Sequence, residues 1–69
     1  MTPDEAARIW RATFLAMADW EARGAEFGAR EAFERAWAAA IAAVNPTEPP
    51  TARERDDCWL RWLKAGKAV

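Results

Sequence analysis

The amino-acid sequence predicts an all-α fold, a compact three-helix bundle with a Pro-rich connector between the second and third helices. Three segments carry apolar residues at spacings of three and four, which is the period of an amphipathic helix. Two of these segments follow a Thr-x-x-Glu sequence, the pattern of a helix capping box. Because a chain of 69 residues is short for more than one core, we expect a single domain over residues 1–69.

Helix 1 is expected over about residues 3–23. Thr2 and Glu5 form its capping box, and Pro3 takes the first helical position, where the missing N–H of proline costs nothing. Gly24 is the expected stop. The apolar stripe, expected in the core, consists of Ala6, Ile9, Trp10, Thr13, Phe14, Met17 and Trp20.

Helix 2 is expected over about residues 29–44, after a short turn that offers no good N-cap side chain. Asn45-Pro46 ends it, because a residue before proline disfavours helical backbone. Residues 45–50 contain three prolines and therefore predict a stiff, extended connector. The inward stripe of helix 2 is expected to consist of Phe33, Trp37, Ala40, Ile41 and Val44.

Helix 3 is expected over about residues 52–65, with a capping box at Thr51 and Glu54 and a stop at Gly66. Its apolar residues spread over an arc of about 200°, wider than the roughly 100° stripe that docks one helix on a bundle. We expect Trp59, Trp62 and Leu63 in the middle of this arc to serve the core, Cys58 to be a small buried residue, and Leu60 to lie at the exposed rim.

The composition argues against an enzyme or a metalloprotein. The chain has no His, no Ser, no Tyr and a single Cys, so it lacks the usual parts of nucleophilic catalysis and of a zinc site. We therefore expect no catalytic residue, no metal ligand and no cofactor. The acidic start and the absence of a long apolar run favour a cytoplasmic protein that does not use a membrane.

Most charges are expected to support the helices. Five acids precede an arginine by four residues, the favourable order on a helix: Asp4/Arg8, Asp19/Arg23, Glu26/Arg30, Glu31/Arg35 and Asp57/Arg61. A nucleic-acid interface on helix 3 is the alternative interpretation, since a recognition helix presents cations from its first turn. Its expected contact residues are Arg53, Arg55, Arg61, Lys64 and Lys67.

Other surface positions favour a protein partner. Leu15 falls nearly opposite the apolar stripe of helix 1, and Leu60 is an apolar side chain ringed by charges. The outer face of helix 2 around Ala39 and Ala42 carries no charge, which would let another helix approach closely and makes a homodimer possible. Leu15, Leu60, Ala39 and Ala42 are therefore the expected contacts with a protein partner.

In size, compactness and lack of catalytic residues, the chain resembles the small accessory proteins of phages and mobile elements of high-GC bacteria, including anti-CRISPR inhibitors. Such proteins work by occupying a surface on a larger machine. We expect a small non-enzymatic interaction module that inhibits or regulates a protein partner by occlusion. The alternative is a small nucleic-acid-binding regulator that uses helix 3.

Overall fold

The computed structural model describes residues 1–24 and 28–65, and within them the chain forms three α-helices and no strand. They are α1 (Pro3–Ala22), α2 (Ala29–Val44) and α3 (Ala52–Lys64). The all-α three-helix fold predicted from the sequence is confirmed. The expected stop at Gly66 lies outside the described residues. No helix of the described chain is long and apolar enough to cross a membrane.

Side-chain caps fix the starts of α1 and α3. The Thr2 hydroxyl accepts a hydrogen bond from the Glu5 N–H at 3.2 Å, and the Glu5 carboxylate accepts one from the Thr2 N–H at 3.0 Å. Thr51 and Glu54 repeat the arrangement at 3.2 and 2.9 Å. Each capping box satisfies two N–H groups that the first turn of a helix leaves without partners, so both helix starts are set locally.

The start of α2 and the helix C-termini depend on the backbone. Gly28 caps α2 without a side-chain hydrogen bond. At the other end, Asn45 adopts the left-handed conformation with φ 51°, and its N–H donates to the Ile41 carbonyl at 2.8 Å. Gly24 has φ 72° after α1, a conformation in which a β-carbon is disfavoured. Both chain reversals thus use residues that tolerate positive φ.

The core lies among the three helices and mixes rings with very small side chains. Thr13 is the polar residue within it, and its hydroxyl donates to the Ile9 carbonyl at 2.7 Å, which removes the penalty of burying a polar group. Alanines opposite rings allow the helices to pack closely. The buried apolar residues are Ile9, Met17, Phe33, Ala36, Trp37, Ala40, Cys58 and Trp62.

The two interfaces of the bundle differ in kind. The backbones of α1 and α2 approach each other closely along their length, consistent with the small buried residues Ala36 and Ala40 on α2. The helix α3 is instead held largely through its side chains. Trp62 meets Phe14 of α1 edge to face at 5.3 Å, and Trp59 meets Phe33 of α2 at 5.2 Å between ring centroids. The helix α3 therefore rests on rings from both neighbours.

The expectation that Leu63 serves the core is wrong, because the structure leaves 40% of it exposed. Cys58 and Trp62 lie one turn apart and set the buried direction of α3. At 3.6 residues per turn, Leu63 lies about 140° around the helix from Cys58, beyond the half-buried Trp59. The arc of apolar residues on α3 is thus wider than the bundle can cover.

The connector is attached to the start of α1. The Glu5 carboxylate accepts hydrogen bonds from the Thr47 N–H at 2.7 Å and the Thr47 hydroxyl at 3.1 Å, in addition to its capping bond from Thr2. The terminal amino group of Met1 lies 3.4 Å from the Glu48 carboxylate. Backbone N–H donation by Thr2 and Thr47 lowers the pKa of Glu5 from 4.5 to about 2. Glu5 is therefore both a helix cap and a clamp on the connector.

Candidate protein-interaction surfaces

Every leucine of the chain lies on the surface. Leu15 is 60% exposed, Leu60 52% and Leu63 40%. Isolated exposed leucines are ordinary in folded proteins. In this chain, however, none of the three leucines contributes a fully buried side chain, while the core is built from Ile, Met, Phe, Trp, Ala and Cys. The leucines are therefore available for contacts outside the bundle.

Leu60 and Leu63 form one small apolar patch, which we call the α3 edge. They are three residues apart on α3, a spacing that makes side chains neighbours on a helix surface. Arg53, Asp57 and Lys64 are exposed residues of the same helix within one or two turns of Leu60. An apolar centre with a charged rim is the usual composition of a protein interface.

The second half of α2 has an uncharged outer face, which we call the alanine face. Its four residues are Ala38, Ala39, Ala42 and Ala43, and all are exposed. The structure thus places Ala39 and Ala42 on the surface, away from the buried Ala36 and Ala40. No side chain on this face could hinder the approach of another helix.

A groove of about 530 Å³ separates the outer side of α1 from the end of α3, and we call it the α1–α3 groove. Its walls are almost wholly apolar, and Arg11 is the charged residue among them. Leu15 forms part of its rim. The lining residues are Ala7, Trp10, Arg11, Phe14, Leu15, Ala18, Trp62 and Ala65. Helical periodicity predicts the exposure of Leu15, but the groove depends on the packing of α1 against α3 and is not visible in the sequence.

The cations named for the nucleic-acid alternative do not share one face. Arg61 places its guanidinium 3.6 Å from the centre of the Trp10 ring, so it stacks on α1. Arg55 is half-buried, pairs with Asp56 at 3.2 Å, and lies about 180° around α3 from Lys64. Arg53 and Lys64 are exposed, and Lys67 lies outside the described residues. The structure thus removes Arg55 and Arg61 from the set that a groove-binding helix would present, whereas Arg53 and Lys64 lie about 20° apart around α3.

Arg30 joins α2 to α3 through contacts that the spacing of acids and arginines in the sequence does not predict. Its guanidinium lies 5.3 Å from the centres of both the Phe33 and Trp59 rings. It also pairs with Glu34 at 3.2 Å and Asp56 at 3.4 Å. The sequence pattern predicts an ion pair between Arg30 and Glu26, and Glu26 lies outside the described residues.

Two of the other ion pairs expected from the sequence form in the structure. Asp19 pairs with Arg23 at 3.2 Å, and Glu31 pairs with Arg35 at 3.1 Å, both at the expected spacing of four. Arg61 stacks on Trp10. Within the described residues, no ion pair joins Asp4 to Arg8 or Asp57 to Arg61. The ring contact of Arg61 comes from another helix, so the spacing of charges along the chain does not predict it.

Cys58 is fully buried, and burial raises the pKa of its thiol to about 11. A thiolate is the reactive form of cysteine, so this side chain is unreactive at neutral pH. Within residues 1–24 and 28–65, no group of three or more Cys, Asp or Glu side chains is placed to hold a metal ion.

Comparison with known proteins adds no relative: no protein family, no curated protein and no solved structure matches this chain.

Proposed function

We propose that the chain is a small non-enzymatic protein-interaction module that acts by occluding a surface of a larger protein or complex. The α3 edge is its main contact. Leu60 is the anchor, with Leu63 beside it and the charges of Arg53, Asp57 and Lys64 around them. What supports the proposal most is that all three leucines of so small a chain lie outside the core.

The energetics of burial explain why this observation matters. Burying a leucine side chain stabilises a protein by about 1.5–3 kcal/mol, and a core this small has few other sources of stability. A monomer with no partner gains nothing comparable from leucines at the surface. When a partner covers Leu60 and Leu63, their apolar area contributes to binding instead of folding.

In its narrower form, the proposal is an inhibitor encoded by a phage or mobile element, of the anti-CRISPR kind. Small size and the lack of catalytic residue types support this form, because an inhibitor that acts by covering a surface needs no chemistry of its own. The nucleic-acid alternative has less support, since Arg55 and Arg61 are engaged within the bundle.

The test is the substitution Leu60→Ala, with Leu15→Ala as a matched exposed leucine on α1. Because Leu60 is half exposed, we expect the free energy of unfolding to change by less than about 1 kcal/mol, against about 2–5 kcal/mol for a buried leucine. Proteins captured by the wild-type chain from cells of its source are purified, and their affinity for each variant is measured. We expect Leu60→Ala to weaken binding at least tenfold and Leu15→Ala to leave this contact unchanged.

Two results would contradict the proposal. A large loss of stability with unchanged affinity would assign Leu60 to the core and leave the α3 edge without a binding role. Capture of DNA or RNA instead, with affinity that falls steeply as salt rises and that depends on Arg53 and Lys64, would favour the nucleic-acid regulator.

A further inference from the structure

The exposed charges of α1 and its C-cap reverse their signs when the helix is read backwards. In chain order the signs are negative, positive, positive, negative, negative and positive, and from the other end each of them is the opposite. The residues are Asp4, Arg8, Arg11, Asp19, Glu21 and, at the C-cap, Arg23. The remaining charge of α1 is the half-buried Glu5, which is engaged with Thr2 and Thr47.

This order of signs matches a second α1 that runs in the opposite direction. In an antiparallel pair, Arg8 and Arg11 of one copy face Asp19 and Glu21 of the other, and two-fold symmetry repeats the contact. Whichever acid meets each arginine, the midpoint of the pair falls between residues 13 and 16. In a parallel pair each charge would meet its own counterpart, which is repulsive. The charges therefore favour an antiparallel second copy.

Leu15 lies at this midpoint and in the middle of the same face. It is 60% exposed. The exposed residues Asp4, Arg8, Arg11 and Asp19 all fall within about 40° of it around the helix axis. An apolar centre between charges is the composition of a protein interface, and a two-fold axis through that centre makes the surface self-complementary.

Small side chains on this face allow two helices to approach closely. Ala7, Ala18 and Ala22 are exposed and lie within about 80° of Leu15 around α1. In the antiparallel arrangement Ala7 of one copy comes opposite Ala22 of the other. Because Ala7 and Ala18 also line the α1–α3 groove, a second α1 on this face covers the α1 wall of the groove.

We propose that the chain forms a symmetric dimer through α1, in which the two α1 helices run antiparallel and Leu15 lies near the two-fold axis. Asp19 is paired with Arg23 at 3.2 Å within one chain, but the pair is exposed and such pairs are weak, so Asp19 can also meet an arginine of the second copy. The contact uses α1 and not the α3 edge. The inference therefore goes beyond the proposed function and does not rest on it.

The size of the contact sets the concentration range for the experiment. A pair of 20-residue helices is about 30 Å long, which makes a small interface. We expect a dissociation constant of about 1–100 μM, measured on the full chain by sedimentation from about 1 μM to about 1 mM.

Three matched variants locate the interface on one helix. Leu15→Glu, Ala39→Glu and Leu60→Glu each place a carboxylate at an exposed position, on α1, α2 and α3 respectively. Circular dichroism confirms that each variant keeps its helices. We expect Leu15→Glu to weaken self-association at least tenfold, because it places two like charges beside the two-fold axis, and the other two to change it less than threefold.

Exchange of charges tests the pairing directly. In the acidic variant, Arg8→Glu with Arg11→Glu, and in the basic variant, Asp19→Lys with Glu21→Lys, every charge between residues 8 and 21 of α1 has one sign. We expect neither variant to self-associate and their equimolar mixture to form a heterodimer at least as tight as the wild-type dimer. Arg53→Glu with Lys64→Glu changes the net charge as much as the acidic variant does, and we expect it to keep the wild-type dimer.

Cross-linking tests the direction of the helices. Ala7→Cys and Ala22→Cys are prepared as separate variants and mixed in a glutathione redox buffer. The native Cys58 is buried and does not compete. An antiparallel pair brings position 7 of one copy near position 22 of the other, so we expect the two variants to cross-link to each other in preference to themselves.

Four results would overturn the inference. The first is a wild type that stays monomeric at about 1 mM. The second is a loss of self-association in Leu60→Glu or Ala39→Glu as large as in Leu15→Glu. The others are no heterodimer in the mixture of acidic and basic variants, and cross-linking of Ala7→Cys preferentially to itself. The proposed function is tested by partner binding of Leu60→Ala, so failure of one proposal is distinguishable from failure of the other.

Discussion

Replacement of Arg30 tests how α3 is held on the bundle. Arg30 on α2 contacts two rings, Phe33 of its own helix and Trp59 of α3, and two carboxylates, Glu34 of α2 and Asp56 of α3. Half of these contacts cross from α2 to α3. Arg30→Ala removes all of them, so it weakens the α2–α3 interface without touching the α1–α2 interface.

The free energy of unfolding lost in Arg30→Ala follows from the individual contacts of the guanidinium. A guanidinium over an aromatic ring at a partly exposed site is worth about 0.5–1 kcal/mol. The two ion pairs are about half exposed, and such pairs typically contribute about 0.2–1 kcal/mol each, often at the low end. Because one guanidinium makes all four contacts, we expect a total loss of about 1–2 kcal/mol. In a domain of this size that lowers Tm by roughly 4–16 °C.

Urea denaturation followed by circular dichroism measures the loss, with two further variants as controls. Arg30→Lys keeps the charge but not the planar group, so we expect it to recover less than half of the lost stability. Arg23→Ala removes an exposed ion pair that contacts no ring in the described part of the chain, and we expect it to cost less than about 0.5 kcal/mol. Trp59 is one of five tryptophans, so fluorescence would be a poorer readout.

Either of two outcomes would refute this reasoning. If Arg30→Ala is as stable as Arg23→Ala, the contacts of Arg30 contribute nothing, and α3 is held by its buried residues and by the ring contacts of Trp59, Trp62 and Arg61. If Arg30→Lys is as stable as the wild type, charge rather than stacking accounts for the effect of Arg30.

Three further predictions follow from buried or tethered groups and from the alanine face. Because folding lowers the pKa of Glu5, its carboxylate adds to the free energy of unfolding above about pH 4.5, and this stability is lost as pH falls toward 2. Glu5→Gln should therefore flatten the dependence of the urea midpoint on pH between about 5 and 2. An unchanged profile would contradict the role of Glu5 as a clamp on the connector. The buried Cys58 should react with a thiol reagent only as fast as the chain unfolds, and rapid labelling of the folded chain would contradict its burial. Ala39→Glu or Ala42→Glu should leave helicity and the concentration dependence of sedimentation as in the wild type, because both alanines are exposed and lie outside the proposed α1 interface, whereas loss of self-association in either variant would show that the alanine face pairs copies of the chain.

Features that depend on neighbours in sequence could be predicted. The capping boxes of Thr2 and Thr51 form as expected because they need four consecutive residues only. Asn45 ends α2 for an equally local reason, the proline that follows it. The exposure of Leu15 and Leu60 follows from helical periodicity, which gives the direction of a side chain once the buried stripe is known.

Features that depend on the crossing of helices could not be predicted. The periodicity of α3 predicts an arc of apolar residues but not which part of that arc faces α1 and α2, so it does not show that Leu63 is exposed. In the same way, the α3 ring that Arg30 contacts, Trp59, lies 29 residues away in sequence, and the α1 ring that Arg61 contacts, Trp10, lies 51 residues away. The walls of the α1–α3 groove come from two helices, so no single segment of the sequence predicts it.

The way α3 is held bears on the α3 edge, since both leucines of that surface belong to this helix. The buried residues Cys58 and Trp62 and the ring contacts of Trp59 and Arg61 carry its attachment, and the backbones of α3 and its neighbours approach closely at few points. An element with few such contacts opens at lower free energy than the α1–α2 pair. A ligand that binds only the docked position of α3 must stabilise that position by mass action. We therefore expect amide hydrogen exchange in the free chain to be faster in α3 than in α2, and a partner that binds only the docked α3 to slow exchange more in α3 than in α2.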